Sequence, residues 1–156
     1  MTQSSEVNGA LEARDLRIAV VAARFNEPIV ASLLQGAVAS FERHGGKSDN
    51  LLIARVPGAF ELPITCKKLA TAGRYAAVVA LGCVIRGDTP HFDYVAGESA
   101  RGLMRASLDT GVPVVFGVLT VENIEQALER SAVTRSNKGG ESMDVAIEMA
   151  NLLARL

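Results

Sequence analysis

The sequence predicts an α/β fold, a parallel sheet covered on both faces by helices, and three observations carry it. Short, mostly apolar runs recur along the chain at Arg17–Ala23 (RIAVVAA), Leu51–Val56 (LLIARV), Tyr75–Leu81 and Val112–Leu119 (VPVVFGVL), of the kind that buried parallel strands show. Each run is followed by a helical pattern, so strand and helix alternate four times. The chain has 156 residues, 49% of them apolar, enough for one domain with a sizeable core. Parallel strands joined this way need only right-handed crossovers.

Taken in order, Met1–Asp15 carries no strong pattern and reads as a mobile arm or an added edge strand, leaving a single domain over residues 16–156. After the first strand, Glu27 and Pro28 open a helix to about Arg43, with Ile29, Leu33, Ala37 and Phe41 on one stripe. Gly45-Gly46 ends it, and His44 in its last turn reads as structural, where a cation suits the helix dipole. The second strand leads into the loop Pro57–Pro63 and a helix to about Ala72, closed by Gly73. The third strand feeds the stretch Gly82–Val95 (GCVIRGDTPHFDYV) and a helix over Pro90–Asp109 that is rich in small residues. After the fourth strand come a short helix, Val121 to about Ser131, a polar loop over Thr134–Gly140 and a last helix over Glu141–Leu156.

Composition excludes several classes of function. The formal net charge is −1 and no basic stripe is present, which argues against nucleic acid as a partner. Aromatics make up 4% with no Trp, too few for base-stacking platforms. The apolar run Ala76–Ile85 is shorter than the ~18 residues of a membrane span, and the polar N-terminus lacks the pattern of a signal peptide. A cytoplasmic, soluble protein is the expectation. Cys66 and Cys83 have no CxxC spacing and read as small buried apolar groups, with neither a disulfide nor a zinc site. Two separated histidines without clustered carboxylates give no metal site.

The chemistry gathers at strand ends. Phe25-Asn26, Gly58–Glu61 and Val84–His91 all follow strands, and they line one crevice if the strand order reverses between the first and third strands. Gly87 permits a tight approach, Thr89 adds a hydroxyl, and Pro90 suits an early helix position. There is no GxGxxG, Walker lysine or nucleophile elbow. What remains is a flat aromatic (Phe25), a carboxylate (Glu61), anion donors around Thr89, and His91. Such a set fits a planar polar ligand beside an anion, with His91 as a proton shuttle near neutrality. An exposed histidine on an ordinary capped loop is the plain alternative, as a first-turn acid is for Glu61. Arg130 and Lys138 read from pattern alone as solvent-facing charges.

The blocks VAARFNEPI, VPGAFELP, GCVIRGDTPHFDYV, FGVLTVENIEQALER and SNKGGESMDVAIEMANLL together resemble the lumazine synthase family of riboflavin biosynthesis, in order and spacing, from about Leu16 onward. The resemblance implies a transferase. It condenses 5-amino-6-(D-ribitylamino)uracil with 3,4-dihydroxy-2-butanone 4-phosphate to 6,7-dimethyl-8-ribityllumazine, releasing phosphate and water without metal or organic cofactor. It implies a flavodoxin-like three-layer αβα sandwich with a four-stranded parallel sheet, whose N-terminal segment adds a strand to a neighbouring subunit. It assigns Phe25 to stacking on the pyrimidine, and Ala59, Phe60, Glu61, Cys83, Val84 and Ile85 to holding the ring and ribityl chain. Asp88, Thr89 and Arg130 would bind phosphate, and His91 would donate and accept protons. Phe116, Arg130 and Lys138 would reach the site from a neighbouring subunit, with Lys138 in a supporting role.

The resemblance also implies homopentamers. The uninserted stretch Ser131–Gly140 favours an icosahedral 60-mer, and association with riboflavin synthase belongs to the same expectation. Asp88 places a carboxylate beside the phosphate, so its contact is assigned to the backbone N–H, and Pro90 removes one donor. Two rivals stand beside this reading: a non-catalytic flavin-binding shell, and a Schiff-base enzyme acting through Lys138.

Overall fold

The computed structural model describes residues 3–156. Strand β1 (Ile18–Ala23) is paired on both sides, and helix α1 (Glu27–Arg43), strand β2 (Leu51–Val56) and helix α2 (Leu62–Thr71) follow it. Strand β3 (Ala77–Ile85), helix α3 (His91–Thr110), strand β4 (Val114–Val121) and helices α4 (Ile124–Ser131) and α5 (Lys138–Ala154) complete the chain. The sheet is wholly parallel in the order β2-β1-β3-β4. The predicted α/β class, with four parallel strands between helices, is what the chain adopts.

The apolar runs explain the layering. In β1, Ile18, Val20 and Ala22 pack against α1 and α5, while Ala19, Val21 and Ala23 face the α2 and α3 side. Strand β3 divides in the same way, with Val79 and Leu81 on one face and Val78 and Ala80 on the other. Both strands are buried on two faces, so neither shows the polar alternation of a half-exposed strand. Helices α1 and α5 cross closely: a Cβ on Gly139 would lie 1.8 Å from the Leu33 carbonyl oxygen. Asn137 seals the crossing, its Nδ2 donating to the carbonyls of Ser131 (2.8 Å) and Ser32 (3.0 Å) while its Oδ1 accepts from Gly140 N–H at 3.0 Å.

That cap corrects one boundary. The last helix begins at Lys138, not Glu141, because Asn137 offers its side chain to the first-turn donors and the two glycines, unfavourable in isolation, are what the tight crossing admits. The third strand starts later than predicted and runs on to Ile85, so Cys83, Val84 and Ile85 are strand residues. Pairing with β4 through Ile85↔Val121 sustains it past Gly82.

His44 is structural, as its position implies. Its Nε2 lies 3.1 Å from Asp144 Oδ1, which also accepts from Ser40 Oγ, joining the end of α1 to α5. Residues 3–12 form no strand within the chain. They run beside α5, where Asn151 Nδ2 donates to the carbonyls of Ala10 (2.6 Å) and Glu12 (2.9 Å) and Arg155 donates to that of Asn8 (2.8 Å). Ala13 is fully buried in the core. Met1 and Thr2 of the predicted arm lie outside the described residues.

Candidate active site

Because β2 lies on one side of β1 and β3 on the other, the loops leaving the C-terminal ends of β1 and β3 turn apart and leave a crevice between them. The condition set by the sequence, reversal of order between the first and third strands, is met. A cavity of about 750 Å³ opens there, lined by Phe25 after β1, Gly58–Glu61 after β2, Cys83–Ile85 at the end of β3, and Thr89 and His91 at the start of α3. That volume suits a small organic ligand.

Each side chain is held by a local device. The chain leaving β1 is pinned to the β2 side by Arg24 N–H to the Val56 carbonyl (2.8 Å) and Phe25 N–H to the Pro57 carbonyl (3.0 Å). Phe25 is left 71% exposed on the rim, an uncovered ring face on a surface otherwise ready to receive a flat ligand. A 3₁₀ turn over Ala59–Glu61, stabilised by Glu61 N–H to the Gly58 carbonyl at 3.2 Å, sets Ala59, Phe60 and Glu61 along the crevice. Phe25 and Glu61 flank Gly58, whose added Cβ would meet Glu61 Oε1 at 3.4 Å and Phe25 Cβ at 3.9 Å.

His91 is the first residue of α3, and its N–H reaches Thr89 Oγ1 at 3.4 Å. No hydrogen bond within the described residues takes up the N–H groups of Gly87, Asp88 or Thr89, which leaves them available to an anion at the positive end of a 20-residue helix. The Asp88 side chain does not line the cavity, whereas Gly87 and Thr89 do.

Phe116, Arg130 and Lys138 are not in this crevice. They meet around a separate concavity of about 230 Å³ against β4, together with Ser142, and the two linings share no residue. Arg130 donates from Nη1 to the Gln126 carbonyl at 3.1 Å, so it is held on its own helix. Lys138 Nζ donates to Glu141 Oε2 at 2.6 Å. Glu141 in turn is held below the usual carboxylate range, chiefly by that bond from Lys138 and then by the Ser136 hydroxyl.

Sequence reasoning placed Asn26 and Arg86 on the crevice loops without a role, and it gave Phe92 and Tyr94 no place in the site. Asn26, the residue before α1, sits in the left-handed region at φ 61° and sends Nδ2 to the Cys83 carbonyl at 2.8 Å, across the crevice floor. Phe92 and Tyr94 add aromatic lining from the first turn of α3; their neighbourhood to His91 was the available signal. Arg86 bonds Glu122 and Asp93 over the Phe92 ring, and the Glu122 bond foremost raises its already high pKa. Nothing local in the sequence pairs residues so far apart.

Burial pushes the Cys66 thiol up to about 12 and Cys83 up to about 11. A thiol so disposed is a poor nucleophile at neutral pH, which leaves Cys83 to act through its backbone and its bulk. Among the described residues no group of three or more His, Cys, Asp or Glu is placed to hold a metal, and no helix is long and apolar enough to cross a membrane. The crevice can therefore stack a planar ring, accept hydrogen bonds at Glu61, receive an anion at the start of α3 and move a proton at His91. Arg130 and Lys138 line a separate concavity against β4.

Comparison with known proteins identifies the family. The family model described as 6,7-dimethyl-8-ribityllumazine synthase matches residues 15–154. The 6,7-dimethyl-8-ribityllumazine synthase of Chlorobium luteolum is 53% identical over 150 residues, covering 96% of this chain and 97% of that protein. That of Chlorobium phaeovibrioides is 52% identical with the same coverage, and that of Chlorobium chlorochromatii is 50% identical, covering 97% of each chain. With the fold, the switch-point crevice and near-complete coverage in agreement, the chain belongs to the 6,7-dimethyl-8-ribityllumazine synthase family.

Proposed function

We propose that this chain condenses 5-amino-6-(D-ribitylamino)uracil with 3,4-dihydroxy-2-butanone 4-phosphate, as family membership implies, and that its crevice is one half of a shared site. The observation that carries this reading is the meeting of Phe25, Glu61, Thr89 and His91 around one cavity, beside backbone N–H groups of Asp88 and Thr89 that no hydrogen bond among the described residues takes up. The pyrimidine stacks on Phe25, supported by Ala59, Phe60 and the ends of Cys83, Val84 and Ile85, and its ribityl hydroxyls donate to Glu61. Its 5-amino nitrogen attacks the ketone carbon. His91 supplies the proton that lets water leave as the imine forms, then takes a carbon-bound proton as phosphate departs with the electrons of its C–O bond. The enol that this leaves becomes a ketone, and the ribitylamino nitrogen attacks its carbonyl carbon to close the second ring with loss of water.

Phosphate is held by the backbone at Asp88 and Thr89 and by the forked guanidinium of Arg130. Arg130, Phe116 and Lys138 act from a neighbouring copy, since all three lie away from their own chain's crevice. Lys138, paired with Glu141, supports as a charge, and the substrate brings its own amine, so no lysine adduct is required.

The working particle is a pentamer or a multiple of it, the icosahedral 60-mer being the form that the short Ser131–Gly140 connection favours. The exposed apolar Leu52 and Ile53 on edge strand β2 support the addition of a strand there from an N-terminal segment of another copy. The enzyme is cytoplasmic, needs no cofactor, and is placed to associate with riboflavin synthase, which consumes its product. Mixing both substrates with the protein tests the activity: lumazine absorbance should rise well above the uncatalysed rate. Binding of lumazine or flavin without turnover would favour the non-catalytic shell instead.

A further inference from the structure

The loop that delivers the phosphate donors and His91 is not held by packing. Gly87, Asp88, Thr89 and Pro90 are all exposed, and a Cβ added at Gly87 would meet nothing within 4 Å. Among the described residues, its only side-chain bond is the 3.4 Å contact from His91 N–H to Thr89 Oγ1. Both ends of the loop, however, converge on one side chain. Arg86 lies at its start, where its N–H extends the sheet by bonding the Val121 carbonyl at 2.9 Å. The Arg86 guanidinium then donates from Nε to Glu122 Oε2 at 2.7 Å and from Nη1 to Asp93 Oδ1 at 3.3 Å, and it lies 4.3 Å from the centroid of the Phe92 ring. Phe92 lines the crevice, while Arg86 does not.

We infer that Arg86 is a positioning residue for this site, acting as a clamp that fixes the first turn of α3, and with it the phosphate-binding loop and His91, against the end of β4. The inference rests on the proposed function. One exposed ion pair contributes little by itself. Here a planar group joins two carboxylates on separate elements and stacks on an aromatic face, an arrangement that lysine cannot reproduce. The clamp spans the loop from Arg86 to Asp93, so its loss frees the loop without uncovering the core. Its effect falls on the relative placement of the phosphate donors and His91, where misplacement by about 1 Å can cost on the order of 100-fold in rate.

The test uses Arg86→Ala, Arg86→Lys and Glu122→Gln in the full chain, with steady-state constants for each substrate, inhibition by inorganic phosphate and the melting temperature. Arg86→Ala should raise the KM of the phosphate substrate and the Ki of inorganic phosphate by roughly 10-fold or more and lower kcat, with pyrimidine KM within about twofold. Arg86→Lys should not restore them, and Glu122→Gln should shift them in the same direction by less. Unchanged constants, equal weakening of both substrates or full rescue by lysine would each overturn the clamp. If the wild-type protein failed to turn over the two substrates, the proposed function would fall separately. Calorimetric titration of inorganic phosphate into wild type and Arg86→Ala would still decide the clamp, since equal affinities would refute it.

Discussion

Asn26 and Cys83 are joined by a 2.8 Å hydrogen bond from the amide Nδ2 to the backbone carbonyl, across the point where the strand order reverses. The bond ties the loop carrying Phe25 to the strand that feeds His91. It accounts for an otherwise costly backbone, since Asn26 is the non-glycine residue with positive φ among the described residues. Asparagine tolerates that conformation better than most side chains and here also supplies the donor.

Substitution at this position separates strain from bonding. Asn26→Gly keeps the backbone and loses the bond, costing about 1 kcal/mol. Asn26→Ala loses the bond and adds left-handed strain, about 2 kcal/mol in all. Asn26→Asp sets a carboxylate against the Cys83 carbonyl and should be worse than glycine. Urea unfolding of the three variants checks the order, and an aspartate variant as stable as wild type would remove the bond from the account.

His91→Ala tests proton transfer against positioning. General acid–base help is worth ~10²–10⁴-fold, while holding two substrates in register is a separate contribution. Turnover should fall within or below that range yet stay above the uncatalysed mixture. The residual pH–rate profile should lose any inflection due to the imidazole. A profile superimposable on wild type would make His91 a bystander.

The two separate linings make a prediction about mixing. His91→Ala damages the crevice, and Arg130→Ala damages the separate concavity against β4. Refolding or coexpressing the two should recover activity above either alone, because some interfaces pair an intact crevice with an intact concavity. Arg130→Lys should chiefly weaken the phosphate substrate, since a point charge replaces a fork. A fully active monomer in sedimentation, or no recovery on mixing co-assembled variants, would end the shared-site reading.

The thiols provide a pH test with a definite sign. With Cys66 raised to about 12 by burial and Cys83 to about 11, thiolate forms only as pH climbs towards those values. At pH 8 the thiolate fraction is roughly one in ten thousand for Cys66 and one in a thousand for Cys83. Iodoacetamide at pH 8 should leave both unmodified in the folded protein and alkylate both in denaturant. Rapid labelling of folded Cys83 would mean that the crevice opens much further than its 750 Å³ cavity shows.

The sequence by itself determined the class of fold and which loops line the crevice. Buried parallel strands announce themselves as apolar runs, and the loops at their C-terminal ends follow directly along the chain. Phe25, Glu61, Thr89 and His91 were therefore legible from position alone. The start of α5 was not, because Asn137 caps a helix whose glycines are acceptable only against the backbone of α1. The tertiary structure alone decided the strand order β2-β1-β3-β4, which turns separate loops into one crevice. It also decided the partners of Asn26, 57 residues from Cys83, and of Arg86, 36 residues from Glu122. Periodicity is fixed by neighbours along the chain, whereas these pairings depend on which strand lies beside which. For the same reason the sequence pattern could not place Phe116, Arg130 and Lys138 together, because β4 and the two helices after it bring them to one concavity only once the sheet is assembled.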